Sequence, residues 1–181
     1  MLIRQTISNG VKILIRCNVL DYTYRSIFIN YTFGSGVSQL WRIVPCFLTS
    51  FVIPEGIEEL YHTFEGCERL TIDGITFPST LKVIEEDTFG GCLAFTGTFE
   101  IPETVEKLGD DVFTGCDNLE KVVIPTSVTE LTGNPFGVDH SDNYPGTVEY
   151  KGTMEQWNQI TGSSNVTTHA ITCSDGVISK P

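Results

Sequence analysis

Basic residues are scarce in this chain of 181 residues, which has 11 Lys and Arg against 23 Asp and Glu and a formal net charge of −12. Nucleic-acid binding depends on clustered Lys and Arg side chains, and here Arg4, Lys12 and Arg16 are scattered. We therefore expect no nucleic-acid partner. An acidic surface also disfavours anionic membranes, and the excess of negative charge is interpreted as a source of solubility.

Long apolar segments are missing as well. No run of about 18 uninterrupted apolar residues occurs, so the sequence predicts no membrane insertion. Residues 1–6 show no basic region followed by a long apolar core, so no signal peptide is expected. Three localisations stay open: a protein that remains inside the cell, one that has lost its leader, and one released by another route such as lysis.

Catalytic motifs are also absent. The sequence has no GxSxG, HExxH, Walker or GxGxxG motif. Trp41 and Trp157 could stack on a sugar, but each lies in an apolar pattern typical of a core. The sequence therefore predicts a protein that is not an enzyme and that needs no cofactor.

What the chain does contain is a repeat. An apolar residue followed by proline recurs four times, with prolines 24, 24 and 23 residues apart: Ile53-Pro54, Phe77-Pro78, Ile101-Pro102 and Ile124-Pro125. A phenylalanine follows each pair at a similar distance: Phe64, Phe89, Phe113 and Phe136. A period in the low twenties is typical of a solenoid, in which each repeat forms one coil stacked on the next.

The segment before each proline is expected to be a strand, because its residues alternate between inward and outward positions and proline ends the ladder. Pairs such as Ile57 and Leu60 form a second apolar row. The predicted fold is a β-rich α+β solenoid with a parallel sheet on one face, short turns and strands on the other, and a small helical cap at the C-terminus.

The outward strand positions form the candidate binding row on the concave sheet. The row comprises Thr6, Thr32, Val52, Thr76, Glu100, Val123 and Glu149. Such a row is where a solenoid most often meets a protein partner, although β-compatible surface residues would give the same pattern. Val52 and Val123 are the strongest candidates, because apolar groups on an exposed sheet indicate contact.

Cysteine recurs after glycine in three repeats, as Cys67, Cys92 and Cys116. A recurring cysteine is best interpreted as a small buried hydrophobe. Side chains on stacked coils point in parallel, which is poor disulfide geometry, so free thiols are expected. Being buried, these thiols are also expected to be inert as nucleophiles.

No metal site is predicted. The chain has no CxxC pair, and its histidines (His62, His140 and His169) do not share the register of the cysteines. Glu85-Glu86-Asp87 and Asp110-Asp111 form an acidic patch, but calcium needs several converging oxygens, and a solvated face explains such a patch more simply.

The chain is expected to be one continuous solenoid domain with three parts: degenerate repeats in residues 1–50, regular repeats in 51–138 and a capping segment in 139–181. The degenerate part contains Ile7–Leu14 and Phe33–Leu40, which match later repeats in their apolar spacing. They are interpreted as two eroded coils before four firm ones.

In the capping segment, Thr153 and Gln156 predict a capping box that begins a short helix, with Met154, Trp157 and Ile160 on its buried face. Ile171-Thr172-Cys173 is expected to be a last strand.

These residues resemble the BspA-like leucine-rich repeats, a bacterial class with a repeat of about 23 residues. The family pattern is Cys-x-x-Leu-x-x-Ile-x-Ile-Pro-x-x-Val-x-x-Ile-Gly-x-x-Ala-Phe-x-Gly. The matching residues of one repeat are Cys116, Leu119, Val122, Ile124, Pro125, Val128, Leu131 and Phe136. It departs from the pattern at Thr132 and Pro135. The segment from Tyr150 to Trp157 and the Cys173-x-Asp175-Gly176 ending are similar to the C-terminal cap of gut-bacterial members.

The resemblance implies a secreted or cell-surface protein that binds host matrix proteins or other cells. Its function would then be a non-enzymatic binding or adhesion module. The alternative is a structural component of a larger assembly, such as a phage virion decoration or accessory protein, with assembly neighbours or further copies of the chain as partners.

Overall fold

The computed structural model describes residues 2–6, 12–16, 39–41, 48–137 and 146–179. Its strands are β1 (Leu2–Thr6), β2 (Lys12–Arg16), β3 (Gln39–Trp41), β4 (Phe51–Val52), β5 (Glu59–Tyr61), β6 (Ile75–Thr76), β7 (Val83–Ile84), β8 (Gly97–Glu100), β9 (Lys107–Leu108), β10 (Leu119–Ile124), β11 (Glu130–Leu131), β12 (Thr147–Tyr150), β13 (Ile171–Cys173) and β14 (Gly176–Ile178). Its helices are α1 (Met154–Gln159) and the 3-10 turns Ile72–Gly74 and Ser163–Asn165.

Each regular coil contributes two short strands, one before its proline and one after it. The strands before the prolines are parallel: β4 pairs with β6 in one ladder, and β8 pairs with β10 in another. β12, which precedes no proline, extends the second ladder as the other partner of β10. The strands after the prolines, β5, β7, β9 and β11, form a five-stranded parallel sheet together with β3, which follows no proline. The predicted solenoid is confirmed, and its second apolar row lies in a sheet of its own, where Leu60 is directly opposite Ile84.

A column of phenylalanine rings fills the interior. Phe64, Phe89, Phe113 and Phe136 are completely buried. Their successive ring centroids are 5.7, 5.8 and 6.1 Å apart, and the rings are stacked. The repeat therefore places one large aromatic side chain at the same point of every coil, and its burial supplies much of the force that holds the coils together.

The cysteine column lies beside these rings. Cys67, Cys92 and Cys116 are completely buried and have free thiols, as predicted. The Cys92 thiol donates to the carbonyl oxygen of Phe64 at 3.4 Å, and the Cys116 thiol donates to that of Phe89 at 3.2 Å. Burial raises the pKa of both thiols, that of Cys116 to about 12. The thiols are therefore neutral packing groups.

The cap follows the predicted pattern with one addition. Thr153 and Gln156 form the capping box of α1, and Trp157 is buried at its centre. The strand at Ile171–Cys173 is present as β13, but it is not the last, because the chain turns back and β14 pairs with it antiparallel. No helix in the described residues is long and apolar enough to cross a membrane.

The N-terminal prediction was wrong in part. β1 and β2 pair antiparallel, with Thr6 opposite Lys12, so they do not form a coil of the parallel sheet. Only five residues separate these strands, whereas a parallel pair needs a crossover of a dozen or more. The match of Leu40 to Leu60 is confirmed, because β3 and β5 pair in parallel with these residues as partners. Most other residues of segment 1–50 lie outside the described part.

Candidate recognition surface

The predicted binding row divides into two parts. Val52 on β4 and Thr76 on β6 are direct partners in one two-stranded ladder. Glu100 on β8, Val123 on β10 and Glu149 on β12 are partners in a second, larger sheet. Thr32 lies outside the described residues. Thr6 does not join the row, because its strand belongs to the separate hairpin.

Val52 is the most exposed large apolar side chain in the described residues. Its exposed fraction is 67%, whereas its neighbours Phe51 and Ile53 are buried at 5% and 2%. This alternation follows from the pleat of the strand, which turns successive side chains to opposite faces. Thr76, beside it, is also exposed. Together they form a small surface with a β-branched residue on each strand, which we call the Val52–Thr76 surface.

Val123 differs from the expectation, since only 6% of it is exposed. It is not part of the solenoid's apolar core cluster. On its outer side, the Lys121 ammonium group binds the Glu149 carboxylate at 3.0 Å. Lys151, which follows β12, reaches across β10 to Glu100 on β8, with 3.5 Å between Nζ and Oε2. Long side chains of neighbouring strands thus surround Val123, and the prediction that it is exposed was wrong.

This C-terminal part of the row is therefore an ion-paired surface. Lys151 also binds Glu103 at 2.7 Å, and this hydrogen bond raises the pKa of the Lys151 ammonium group. Among the row's described residues, Val52 is the one large apolar side chain that is exposed.

A second set of polar residues lies where the coils turn, after strands β5, β7 and β9. The sequence did not predict a site there. His62, Asp87 and Asp111 each stand two residues before a stacked phenylalanine, and all have positive φ, at 47°, 50° and 53°. Burial raises the pKa of the Asp87 and Asp111 carboxyl groups. The sequence contained this signal, because His62 and Asp87 each lie two residues before the repeated phenylalanine and five before the repeated cysteine.

Comparison with known proteins identifies the repeat. A family model described as BspA type leucine rich repeat region matches residues 44–141 in six copies. No curated protein sequence matches the chain.

Three similar solved structures are bacterial. The T. pallidum leucine rich repeat protein TpLRR is 25% identical, with a TM-score of 0.49 over 64% of this chain and 54% of that one. A leucine rich cell surface protein of Faecalibacterium prausnitzii A2-165 is 21% identical, with a TM-score of 0.46 over 87% and 42%. The pneumococcal vaccine antigen PcpA is 22% identical, with a TM-score of 0.43 over 72% and 35%.

The chain thus spans between about a third and about half of the length of these three proteins. The family model, by contrast, matches more than half of the chain, and the matched residues include strands β4 to β11. The protein is therefore a member of the BspA-type leucine-rich repeat family.

Proposed function

We propose that this chain is a non-enzymatic recognition module that binds another protein through the Val52–Thr76 surface, as an adhesion segment of a surface protein. The observation that carries the proposal is the 67% exposure of Val52 on an otherwise well-packed coil. Burying a valine side chain in an interface contributes about 1.5–3 kcal/mol, which makes this residue a suitable centre for a small interface.

The surface is also held in place before a partner arrives. The amide of Ile53, next to Val52, donates to the carbonyl oxygen of Thr76 at 2.9 Å, and Phe51 packs edge-on against Phe64 in the core at 5.5 Å. A preorganised strand loses little conformational entropy on binding. Glu100, whose side chain is 68% exposed, would supply a polar rim at the border with the ion-paired part.

The test is a capture experiment with three forms of the whole chain: wild type, Val52→Asp and Val177→Asp. Val177 is the matched control, because it is a valine with 57% exposure on the cap, away from the Val52–Thr76 surface. Each form is immobilised at the same density and offered surface extracts of candidate host cells and matrix proteins. We expect a partner that binds wild type and Val177→Asp and is lost with Val52→Asp.

A partner that binds all three forms equally would exclude the Val52–Thr76 surface as its site. Light scattering of the purified chain tests the alternative of a structural role. A defined homo-oligomer that Val52→Asp leaves intact, together with no captured partner, would favour an assembly component such as a virion protein over a recognition module.

A further inference from the structure

Metal-binding atoms of three residues converge where two successive coils meet. These residues, His62, Glu86 and Asp87, are not part of the predicted binding row. His62 Nε2 lies 4.0 Å from Glu86 Oε2, and His62 Nδ1 lies 3.7 Å from Asp87 Oδ2. One ligand atom from each of the three residues can be chosen so that all lie within 4.8 Å of one another. Glu65 brings a further carboxylate oxygen to 3.1 Å from His62 Nδ1.

From this geometry we propose that His62, Glu86 and Asp87 form a binding site for a divalent transition-metal ion of the Zn²⁺ type. Zinc bonds to histidine nitrogen and carboxylate oxygen are about 2.0–2.2 Å long, so the ligand atoms of a tetrahedral site lie about 3.3 Å apart. The three ligand atoms, which now lie within 4.8 Å of one another, would close to this spacing around the ion by side-chain rotation, with one imidazole nitrogen as ligand. Water or Glu65 completes the four-coordinate shell.

The imidazole is what distinguishes this place from an ordinary acidic patch. The equivalent position holds Asp87 in the next coil and Asp111 in the one after it, so His62 introduces a nitrogen donor where the repeat otherwise supplies only oxygen. Calcium takes six to eight oxygen ligands, whereas a mixed set of one imidazole and two or three carboxylates suits Zn²⁺ and its neighbours in the first transition series.

The coil backbone holds the ligands in place. The amide of His62 donates to the carbonyl oxygen of Glu86 at 3.0 Å, and the amide of Asp87 donates to that of Asp110 at 3.2 Å. The first bond joins the two ligand-bearing segments directly, and the second fixes the segment that carries Glu86 and Asp87 to the next coil. The three side chains are 25%, 49% and 31% exposed, so an ion can enter from solvent and retain a water ligand.

The charge around the site favours a cation. Three carboxylates, of Glu65, Glu86 and Asp87, surround one imidazole. The basic side chain of Lys107, on the following coil, binds Glu85 and Glu130 instead. A divalent ion would therefore gain attraction to several carboxylates at once.

Titration calorimetry of the chelator-treated full chain with ZnCl₂, under reducing conditions, tests the proposal. We expect one saturable site in wild type and an affinity at least tenfold lower in His62→Asn. The matched control is Asp111→Asn, at the equivalent position two coils on, which we expect to bind within twofold of wild type. Asparagine tolerates positive φ, so both variants keep the local backbone conformation. Bound Zn²⁺ should also raise the melting temperature of wild type by about 3 °C.

Three results would overturn the site: no saturable binding to wild type, equal affinity in wild type and His62→Asn, or an equal loss in Asp111→Asn. If His62→Asn does not fold, Glu86→Gln repeats the test at an exposed side chain, and an unchanged affinity there also refutes it. Val52→Asp is expected to bind Zn²⁺ like wild type, so this test and the partner capture fail independently.

Discussion

The phenyl rings of Phe64 and Phe89 lie parallel, with 4° between their planes and 5.7 Å between their centroids. The two residues occupy the same point of successive coils, and neither ring contacts solvent. Stacking of this kind joins each coil to the next in the interior of the solenoid, whereas the backbone hydrogen bonds of the strands join the coils at their edges.

Replacing Phe89 with alanine should therefore lower the free energy of unfolding by about 3–5 kcal/mol, because it leaves a cavity in the middle of the ring column. Urea unfolding followed by circular dichroism measures this change. Phe77, which is only partly buried against the core, is the control, and Phe77→Ala should cost clearly less. Equal losses in the two variants would show that the column is not the main source of stability.

Gly109→Ala should destabilise the chain by about 1–3 kcal/mol, a cost typical of overpacking. A Cβ atom at Gly109 would lie 2.5 Å from the amide nitrogen of Glu86, and backbone atoms of the neighbouring coil cannot move aside cheaply. The control is Thr132→Ala at the equivalent, exposed position of the next coil, which should change stability by less than about 0.5 kcal/mol. A similar midpoint of urea unfolding in Gly109→Ala and wild type would show that the close approach of the two coils at Gly109 does not require glycine.

The buried thiols should make the fold less stable in alkali. Burial raises the pKa of Cys116 from 9.0 to about 12, so above pH 9 the unfolded chain loses this proton while the folded chain keeps it. Stability is then unaffected by this thiol below pH 9 and falls as pH rises toward 12, by up to about 1.4 kcal/mol per pH unit. Cys116→Ala should show a shallower fall in unfolding experiments at graded pH. An identical slope in the variant would show that other groups cause the loss.

The capping box predicts the behaviour of the C-terminal cap. Thr153→Ala removes the acceptor for the amide of Gln156, 3.2 Å away, and should cost about 0.5–2 kcal/mol. Fluorescence of Trp157, which lies on the buried face of α1, reports unfolding of the cap when it is measured with Trp41 replaced by phenylalanine. Thr153→Ser retains the hydroxyl group and should restore most of the loss. If serine is as destabilising as alanine, the threonine acts through its methyl group and not as a cap.

Much of the coil could be predicted because its signals are local or periodic. The sequence predicted the proline after each first strand, the phenylalanine column and the capping box at Thr153. Each of these features depends on neighbouring residues or on a fixed repeat. The hairpin of β1 and β2 was misread because apolar spacing alone does not distinguish parallel from antiparallel pairing. The short connection between those strands was the better evidence.

The sequence predicted the candidate site only in part. Strand alternation correctly turned Val52 and Val123 away from the core, but it could not show that Val123 is covered. The lysine that reaches over it, Lys151, binds Glu100 from 51 residues further along the chain. His62 was likewise treated as an isolated histidine, because its neighbours Glu86 and Asp87 approach it only when the coils stack.

By itself, the sequence determined the solenoid, its period and the residues that fill each coil. An apolar pattern that repeats at a fixed period is buried when each repeat forms one coil and the coils stack. Only the tertiary structure decided which outward residues remain accessible and which polar groups converge. Exposure and proximity depend on long side chains from other coils, and their positions follow from the stacking of the whole solenoid rather than from any single repeat.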